Sequence, residues 1–348
     1  MSTPSFAPAT DAPGNSHPRR ESAARWISWL LGASLLVTVV LAALHFSEGR
    51  EFASMLEEAK PWWLALAFLL QTATYSAQGE VFRGAPCSAG FPLPRRWLYQ
   101  RSFGKLFLDQ ALPSGGISST ALVATALEQR GVSRRAAVSG AIINIASYYA
   151  AYVVALAVAL IFAGFLGGTA ALILLLSILF LAFSMGLTTA ILILSGRRSV
   201  AIRKLSRFPL LKGIMNFLEG ADSKMIRDPR LLTEAILWQL AIILLDAATM
   251  WVLIRSLGAF APANAVFASF MVSSLFRTMG ILPGGLGTYE ATSVLTLQMI
   301  GVSIPVALSA TLLFRGLTFW LPMLPGLWFS RRVTRGRVDP RRETGTKR

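Results

Sequence analysis

Long runs of apolar residues, separated by short polar segments, dominate the chain. Six of these runs reach about 20 residues, the length at which a helix crosses the hydrocarbon core of a bilayer. Their alternation with charged loops predicts six membrane-spanning helices. The runs cover residues 26–46, 61–82, 136–163, 170–194, 231–257 and 305–329.

Two further apolar runs, residues 97–127 and 265–300, are interrupted near their middles. The first contains ALPSGGISST and the second ILPGGLGTYE, so both place a Leu-Pro pair before two glycines and a small hydroxyl residue. Proline removes a backbone donor and clashes with the preceding turn, while glycine permits backbone angles that other residues avoid. Each run is therefore predicted to form two half-helices that meet at a break.

The distribution of Lys and Arg predicts the topology, because cytoplasmic loops of membrane proteins collect these residues. We place the N-terminus inside and let each interrupted run enter and leave on one side. The inside segments then hold 28 of the 33 basic residues, and they are 1–25, 83–105, 128–135, 196–230 and 330–348. If either interrupted run crossed completely, every later loop would change sides. We therefore favour two re-entrant broken hairpins.

The order span, span, re-entrant hairpin, span occurs twice, in residues 26–163 and 164–330. Each half crosses three times, so the second begins on the opposite side and the halves form an inverted repeat. The expected fold is an all-α polytopic membrane protein with six full transmembrane helices and two re-entrant hairpins. Residues 1–25 are predicted to be a disordered tail and residues 331–348 a basic cytoplasmic tail. Transporters with inverted repeats bind substrates near the midplane, at discontinuous helices.

Composition supports a membrane protein and excludes several other classes. Hydrophobic residues make up 54% of the chain and charged residues 14%, against roughly 25% charged in a soluble domain, and the mean hydropathy is +0.57. The net charge of +16 lies in loops and tails, which argues against nucleic-acid binding. One cysteine and two isolated histidines make a disulfide framework, a metal site or His-based catalysis improbable. No cofactor is expected.

Charged residues inside apolar runs are candidates for function, because each costs about 2.5–3.5 kcal/mol at the bilayer centre. Glu290 is expected to pair with Arg315 or Arg277. This ion pair would either fix the second hairpin in place or take part in binding a lipid. In the functional alternative the arginines attract a phosphate and Glu290 or Asp246 meets an amino group or a proton. With the residues of the two breaks, the substrate-binding candidates are Asp109, Pro113, Gly115, Gly116, Asp246, Arg277, Pro283, Gly284, Gly285, Gly287, Glu290 and Arg315.

The segments LFRTMGILPGGLGTYEA and LLFRGLTFWLPMLPGL resemble the end of the lysylphosphatidylglycerol synthase transmembrane region. LPSGGISSTALVATALEQRGVSRRAA resembles an earlier segment of that domain, which is the flippase-like part of the bacterial multiple peptide resistance proteins. The likeness covers most of residues 26–330. In bifunctional members a soluble aminoacyl-transferase domain follows, whereas this sequence ends at Arg348. The resemblance therefore implies lipid translocation without the synthase reaction.

The favoured function is movement of a phospholipid or another amphipathic lipid between leaflets of a bacterial inner membrane. Both termini are expected in the cytoplasm. Residues 196–230 are predicted to include an amphipathic surface helix that contacts anionic lipid. The alternatives are a secondary transporter for a small or polyprenyl-linked solute and a non-catalytic scaffold, and association into a homo-oligomer is a further expectation. No GxxxxGK[ST] loop is present, so transport is expected to be downhill or coupled to an ion.

Overall fold

The computed structural model describes residues 60–111, 117–165, 220–279 and 283–322, with short helical pieces between 178 and 189. This part of the chain consists of helices and their connections, without a strand. A 3₁₀ turn at Pro283–Gly285 precedes the helix Thr288–Met299, and a π-helical turn at Gly316–Trp320 continues the helix Ile304–Arg315. The α-helices are α1 (Pro61–Val81), α2 (Gly84–Ser88), α3 (Arg95–Ala111), α4 (Ile117–Gln129), α5 (Arg134–Phe165), α6 (Ser223–Ile226), α7 (Pro229–Ser256), α8 (Ala263–Met279), α9 (Thr288–Met299) and α10 (Ile304–Arg315).

Local sequence explains where the long helices begin and end. Helix α7 starts at Pro229, whose missing N–H costs nothing in the first turn, and the Asp228 side chain accepts a hydrogen bond from the backbone N–H of Arg230. The helix ends before Gly258, which takes a positive φ of 79°. Helix α1 likewise begins at a proline, Pro61. These start signals lie at the ends of the apolar runs and limit the helices to them.

Helices α5 and α7 are long and apolar enough to cross a membrane, over 29 residues (Arg134–Phe162) and 28 residues (Pro229–Ser256). Their outer surfaces carry exposed large apolar side chains, including Ile161, Leu237 and Leu244. A soluble bundle would turn polar residues outward, so these faces suit contact with lipid. The predicted spans 61–82, 136–163 and 231–257 each correspond to one helix.

The remaining predicted spans are described only in part. Residues 26–46 lie outside the described residues, as do most of 170–194 and the end of 305–329. Helix α10 and its π-helical turn cover the first part of the last run. The total of six crossings therefore stays a prediction. The amphipathic helix predicted within 196–230 also lies outside the described residues, except from residue 220 onward.

Both interrupted runs form pairs of helices that lie side by side. In the first run, the Arg130 guanidinium after α4 lies 5.4 Å from the centre of the Trp97 ring at the start of α3. In the second, the hydroxyls of Ser269 on α8 and Thr296 on α9 are 2.7 Å apart. Residues so far apart along the chain touch only if each run turns back at its break. Whether each hairpin enters and leaves through one membrane face stays a prediction.

The core places the two halves of the described chain against each other. Helices α1 and α7, which precede the two hairpins, pack closely together, and α5 packs against both α7 and α8. Large buried side chains such as Tyr152, Leu253 and Met271 fill the space between these helices. The 3₁₀ turn of the second hairpin packs against α3 of the first hairpin. The hairpins therefore meet inside the bundle, while the inverted relation of the halves stays a prediction.

Candidate functional site

The second break is built from glycines that no other residue could replace without strain. Gly284, Gly285 and Gly287 have φ values of 64°, 63° and 81°, in the left-handed region. A Cβ on Gly285 would lie 2.5 Å from Cγ of Arg277 and 2.8 Å from its Cα and backbone oxygen. Gly285 therefore lets the turn approach the end of α8 closely, beside the base of the Arg277 side chain.

A buried ion pair holds this break in place. Arg315 donates from Nε to Glu290 Oε1 at 2.6 Å and from Nη2 to the carbonyl oxygen of Gly284 at 2.9 Å. The other carboxylate oxygen of Glu290 accepts the N–H of Gly287 at 2.6 Å, which caps α9. Both charged side chains are buried, with Arg315 only 3% exposed. The pair neutralises both charges and joins the turn to α10. Such pairing is needed because a charge that is removed from water loses its hydration.

A second pair of opposite charges is partly exposed and is not joined in this way. Arg277 of α8 and Asp246 of α7 interact electrostatically, but no N–O distance between them within the described structure is as short as 4.0 Å. Asp246 accepts a long hydrogen bond from Nε2 of Gln71 at 3.4 Å. The guanidinium of Arg277 lies 6.0 Å from the centre of the Tyr289 ring. We call Gln71, Tyr152, Asp246, Arg277 and Tyr289 the central polar cluster.

Several buried oxygens in the central polar cluster have no hydrogen-bond partner among the described residues. They are the hydroxyl oxygens of Tyr152 and Tyr289 and the amide oxygen of Gln71. The side chain of Tyr289 is stacked on Phe314 and lies near both arginines, with the guanidinium of Arg277 at 6.0 Å and that of Arg315 at 5.3 Å from its ring centre. Buried polar atoms are nearly always paired, so unpaired ones indicate the position of a water or a ligand.

The first hairpin contributes a neutralised pair near its own break. Lys105 donates to Asp109 at 2.6 Å, and the hydroxyl of Ser119 donates to the other oxygen of that carboxylate. Asp109 therefore ties α3 to α4 across the break and has its charge compensated. The other candidates of this hairpin, Pro113, Gly115 and Gly116, lie outside the described residues.

A chain of buried amides connects the first hairpin to the core helices. Asn144 of α5 donates to the hydroxyl of Thr120 on α4 at 3.3 Å, and Gln239 of α7 donates to the side-chain oxygen of Asn144 at 3.2 Å. All three side chains are buried. Because α7 also carries Asp246, this link places the first hairpin in a defined position relative to the central polar cluster.

Comparison with known families decides the class of the protein. The sequence model of the lysylphosphatidylglycerol synthase TM region matches residues 27–326, which is most of the chain. The protein belongs to this family. A comparison with curated proteins found no match. The lysylphosphatidylglycerol synthase TM family is a family of membrane domains related to lipid metabolism, and the exposed apolar faces of α5 and α7 agree with that assignment.

In this member of the lysylphosphatidylglycerol synthase TM family, the structure separates the charged candidates into two groups. Of the two partners considered for Glu290, Arg315 forms the ion pair. Asp109 is also paired, whereas Arg277 and Asp246 are not in a close pair with a charged residue in the described structure. Sequence reasoning named all five residues but did not distinguish these groups, because the distinction depends on distances across helices.

Sequence reasoning missed the tyrosines of the central polar cluster and a carboxylate at one end of the bundle. Tyr152 and Tyr289 look like ordinary membrane aromatic residues when read along the chain. Glu80, only 6% exposed, accepts hydrogen bonds from Arg83 at 2.7 Å, Arg95 at 2.8 Å and Tyr99 at 3.1 Å. The available signal was the position of Glu80 as the one acidic residue in the run 61–82. Arg95 and Tyr99 thereby join α1 to the start of the first hairpin.

Proposed function

We propose that the protein moves a phospholipid, or another lipid with a phosphate-bearing headgroup, between membrane leaflets. The observation that carries the proposal is the state of Arg277. This arginine lies at the break of a helical hairpin inside the bundle, with no carboxylate within 4.0 Å among the described residues. Arg315, one helix away, is neutralised by Glu290. A purely structural role would explain why an arginine is present at position 315, where it pairs with Glu290. It would not explain the arginine at position 277.

The energetics of a charge in the membrane support a ligand for Arg277. A charged side chain at the bilayer centre costs about 2.5–3.5 kcal/mol on the insertion scale, and such residues are rarely without a partner. The guanidinium has five N–H donors in a planar arrangement that matches two phosphate oxygens. The hydroxyls of Tyr152 and Tyr289 add two further donors. The site is therefore suited to a phosphate group in a membrane interior.

The outer surface of the bundle supports a lipid rather than a wholly water-soluble substrate. Large apolar side chains are exposed on several helices, including Phe68 and Leu69 on α1 and Leu295 and Met299 on α9. In the proposed mechanism the headgroup occupies the central polar cluster while the acyl chains remain in lipid beside these faces. Alternating exposure of the cluster to the two leaflets then moves the headgroup across. The two broken hairpins are the elements proposed to move.

The proposal includes no aminoacyl transfer by the residues of this chain, and the movement is either downhill or coupled to an ion. We also propose the bacterial inner membrane as the location, with both termini in the cytoplasm, since that arrangement puts 28 of 33 basic residues inside. The basic inner surface would then lie against anionic lipid, whose negative potential attracts it.

Reconstitution into liposomes tests the proposal. We expect the wild-type protein to move acyl-labelled phospholipids between leaflets faster than protein-free vesicles do. Arg277→Gln is expected to slow this movement at least about tenfold, because a hydrogen bond from a charged group to phosphate is worth about 1.5–3 kcal/mol. Arg135→Gln, at an exposed position, is the matched control and should leave the rate unchanged. If no lipid moves faster than in empty vesicles, the proposed function is wrong.

A further inference from the structure

We infer that Arg255 is the centre of a separate lipid site, which holds the phosphate group of a phospholipid at the predicted outer end of the bundle. Arg255 lies in the last turn of α7, nine residues after Asp246 and therefore about 13 Å farther along the helix axis. A lipid held there need not cross the membrane, so this site goes beyond the proposed function. It is defined by the unused donors of Arg255 and by the aromatic side chains around them.

Two aromatic rings hold the guanidinium group of Arg255 in place. Its central carbon lies 5.1 Å from the centre of the Trp251 ring and 4.3 Å from the centre of the Phe260 ring. Cation–π attraction uses the positive charge and leaves the five N–H donors unused. Among the described residues Arg255 forms no salt bridge, and its buried Nε donates no hydrogen bond. A fixed guanidinium with unpaired donors is suited to a group with several acceptor oxygens, such as a phosphate.

Capping of the helix end does not explain Arg255. An arginine in the last turn of a helix often donates to the last carbonyl oxygens. In α7, backbone N–H groups already bond to the last four of these oxygens, which belong to Leu253, Ile254, Arg255 and Ser256. The helix end is therefore satisfied without the side chain of Arg255.

The aromatic side chains at this end of the bundle place Arg255 at the depth of lipid phosphates. Trp62 is 58% exposed and Phe260 is 72% exposed. Trp63 stacks on Trp62 at 4.3 Å and meets the edge of Trp251 at 6.1 Å. Tryptophan concentrates at the boundary between the hydrocarbon core and water, where the phosphates of the bilayer also lie. The guanidinium of Arg255 is therefore expected at headgroup depth, next to surfaces that suit acyl chains.

A second cation lies at the same end of the bundle. The backbone N–H of Lys60 donates to the carbonyl oxygen of Ser256 at 3.2 Å, which brings the start of α1 to the end of α7. Lys60 is exposed and forms no salt bridge within the part of the chain that the structure describes. Two cations favour an anionic group, and the exposed rings of Trp62 and Phe260 favour attached acyl chains. A phospholipid satisfies both, whereas a free phosphate satisfies only the charges.

Photo-crosslinking in detergent micelles tests this site. The probe is phosphatidylethanolamine with a photoreactive group on its headgroup amine, and mass spectrometry measures the cross-links to residues 256–263. The competitors are unlabelled phosphatidylethanolamine, diacylglycerol with the same acyl chains, and inorganic phosphate. Arg255→Gln removes the guanidinium, and its matched control is Arg130→Gln, which takes a guanidinium away from the Trp97 ring at 5.4 Å. Thermal unfolding in detergent reports whether each variant is folded.

We expect unlabelled phosphatidylethanolamine to suppress the cross-link, and diacylglycerol or inorganic phosphate at the same concentration to leave it unchanged. Arg255→Gln should weaken binding of the probe at least about tenfold, the factor for about 1.4 kcal/mol, because hydrogen bonds to charged groups contribute at least that much. Arg130→Gln should bind the probe as the wild type does.

Three results would overturn the inference. Equal competition by diacylglycerol would show that only the acyl chains are bound, and equal competition by inorganic phosphate would show that no lipid is selected. An unchanged cross-link in folded Arg255→Gln would show that the guanidinium does not hold the phosphate. The competition experiments use the wild-type protein, so they decide the question even if Arg255→Gln does not fold. Transport is measured separately in liposomes, and either result there leaves this binding site unaffected.

Discussion

At the residue scale, the second break depends on its glycines and on the ion pair of Glu290, and only the glycines can be recognised from the sequence. The glycines at 284, 285 and 287 are visible in the sequence, and all three adopt positive φ. The partner of Glu290 is not visible, because Arg277 and Arg315 both lie in apolar runs near the break. The hydrogen bond from Arg315 to the Gly284 carbonyl and the ion pair to Glu290 decide the question. Within the described residues, Arg277 is left without a carboxylate as close as 4.0 Å.

Gly285→Ala tests the close approach of the turn to α8. The matched control is Gly301→Ala, since Gly301 also has a positive φ of 91° but nothing within 4 Å of an added Cβ. Both variants should lose about 1–2 kcal/mol of unfolding free energy, because alanine disfavours the left-handed backbone conformation. Gly285→Ala should lose more, because the new methyl would lie 2.8 Å from the Arg277 backbone. Thermal unfolding in detergent measures the difference, and equal losses would show that this contact is relieved at no cost.

At the element scale, the breaks were predicted from the Leu-Pro and Gly-Gly pattern, and the described helices end where the pattern predicts. Helix α3 ends at Ala111, just before the first pattern, and α9 begins at Thr288, just after the second. The return of each hairpin could not be read from the pattern, because a break permits many angles between half-helices. Contacts such as Ser269 with Thr296 determine the antiparallel packing.

Asn144 provides a test of the link between the first hairpin and the core. Asn144→Ala removes two hydrogen bonds and leaves the Thr120 hydroxyl and the Gln239 amide without this partner. Polar contacts between membrane helices average about 0.6 kcal/mol and reach about 1.7 kcal/mol, so we expect a loss of about 1–2 kcal/mol in unfolding free energy. Transport should slow as well, because the first hairpin loses its fixed position.

Ser147→Ala is the control for Asn144→Ala. The hydroxyl of Ser147 is equally buried in α5 and bonds only to the backbone oxygen of Asn144 in its own helix. Its removal should change stability and transport little. If both variants lost stability and transport to the same extent, the hydrogen bonds between the helices would not be the cause of the loss.

At the scale of the whole molecule, packing of α1 against α7 brings together the helices that precede the two hairpins. Charge distribution predicts which ends of these helices lie in the cytoplasm, but it does not predict which helices touch. In the structure, the ends predicted to be inside carry the Glu80 cluster and several arginines, and the predicted outer end of α7 carries Arg255 between Trp251 and Phe260. Aromatic residues at such ends are typical of the membrane interface.

Cys87 offers a direct test of this topology, because it is the single cysteine of the chain and is partly exposed. It follows α1 in the segment 83–105, which is predicted to be cytoplasmic. In intact cells we expect a membrane-permeant maleimide to label it and an impermeant one to label it only after the membrane is opened. The control is Ala263→Cys in a Cys87→Ser background, at an exposed position in the predicted outer loop. If the impermeant reagent labelled Cys87 in intact cells, Cys87 would face the outside and the predicted topology would be wrong.

The sequence by itself determined the class of the protein, the long helices at 61–82, 136–163 and 231–257, and the positions of both breaks. These properties depend on local backbone chemistry and on the hydropathy of short segments, which neighbouring residues along the chain set. The tertiary structure decided which charges cancel and which remain. Glu290 and Arg315 are 25 residues apart, and Gln71 and Asp246 are 175 apart. Pairing over such separations depends on how the helices pack, because the energy of a charge in a membrane is set by its nearest neighbours in space.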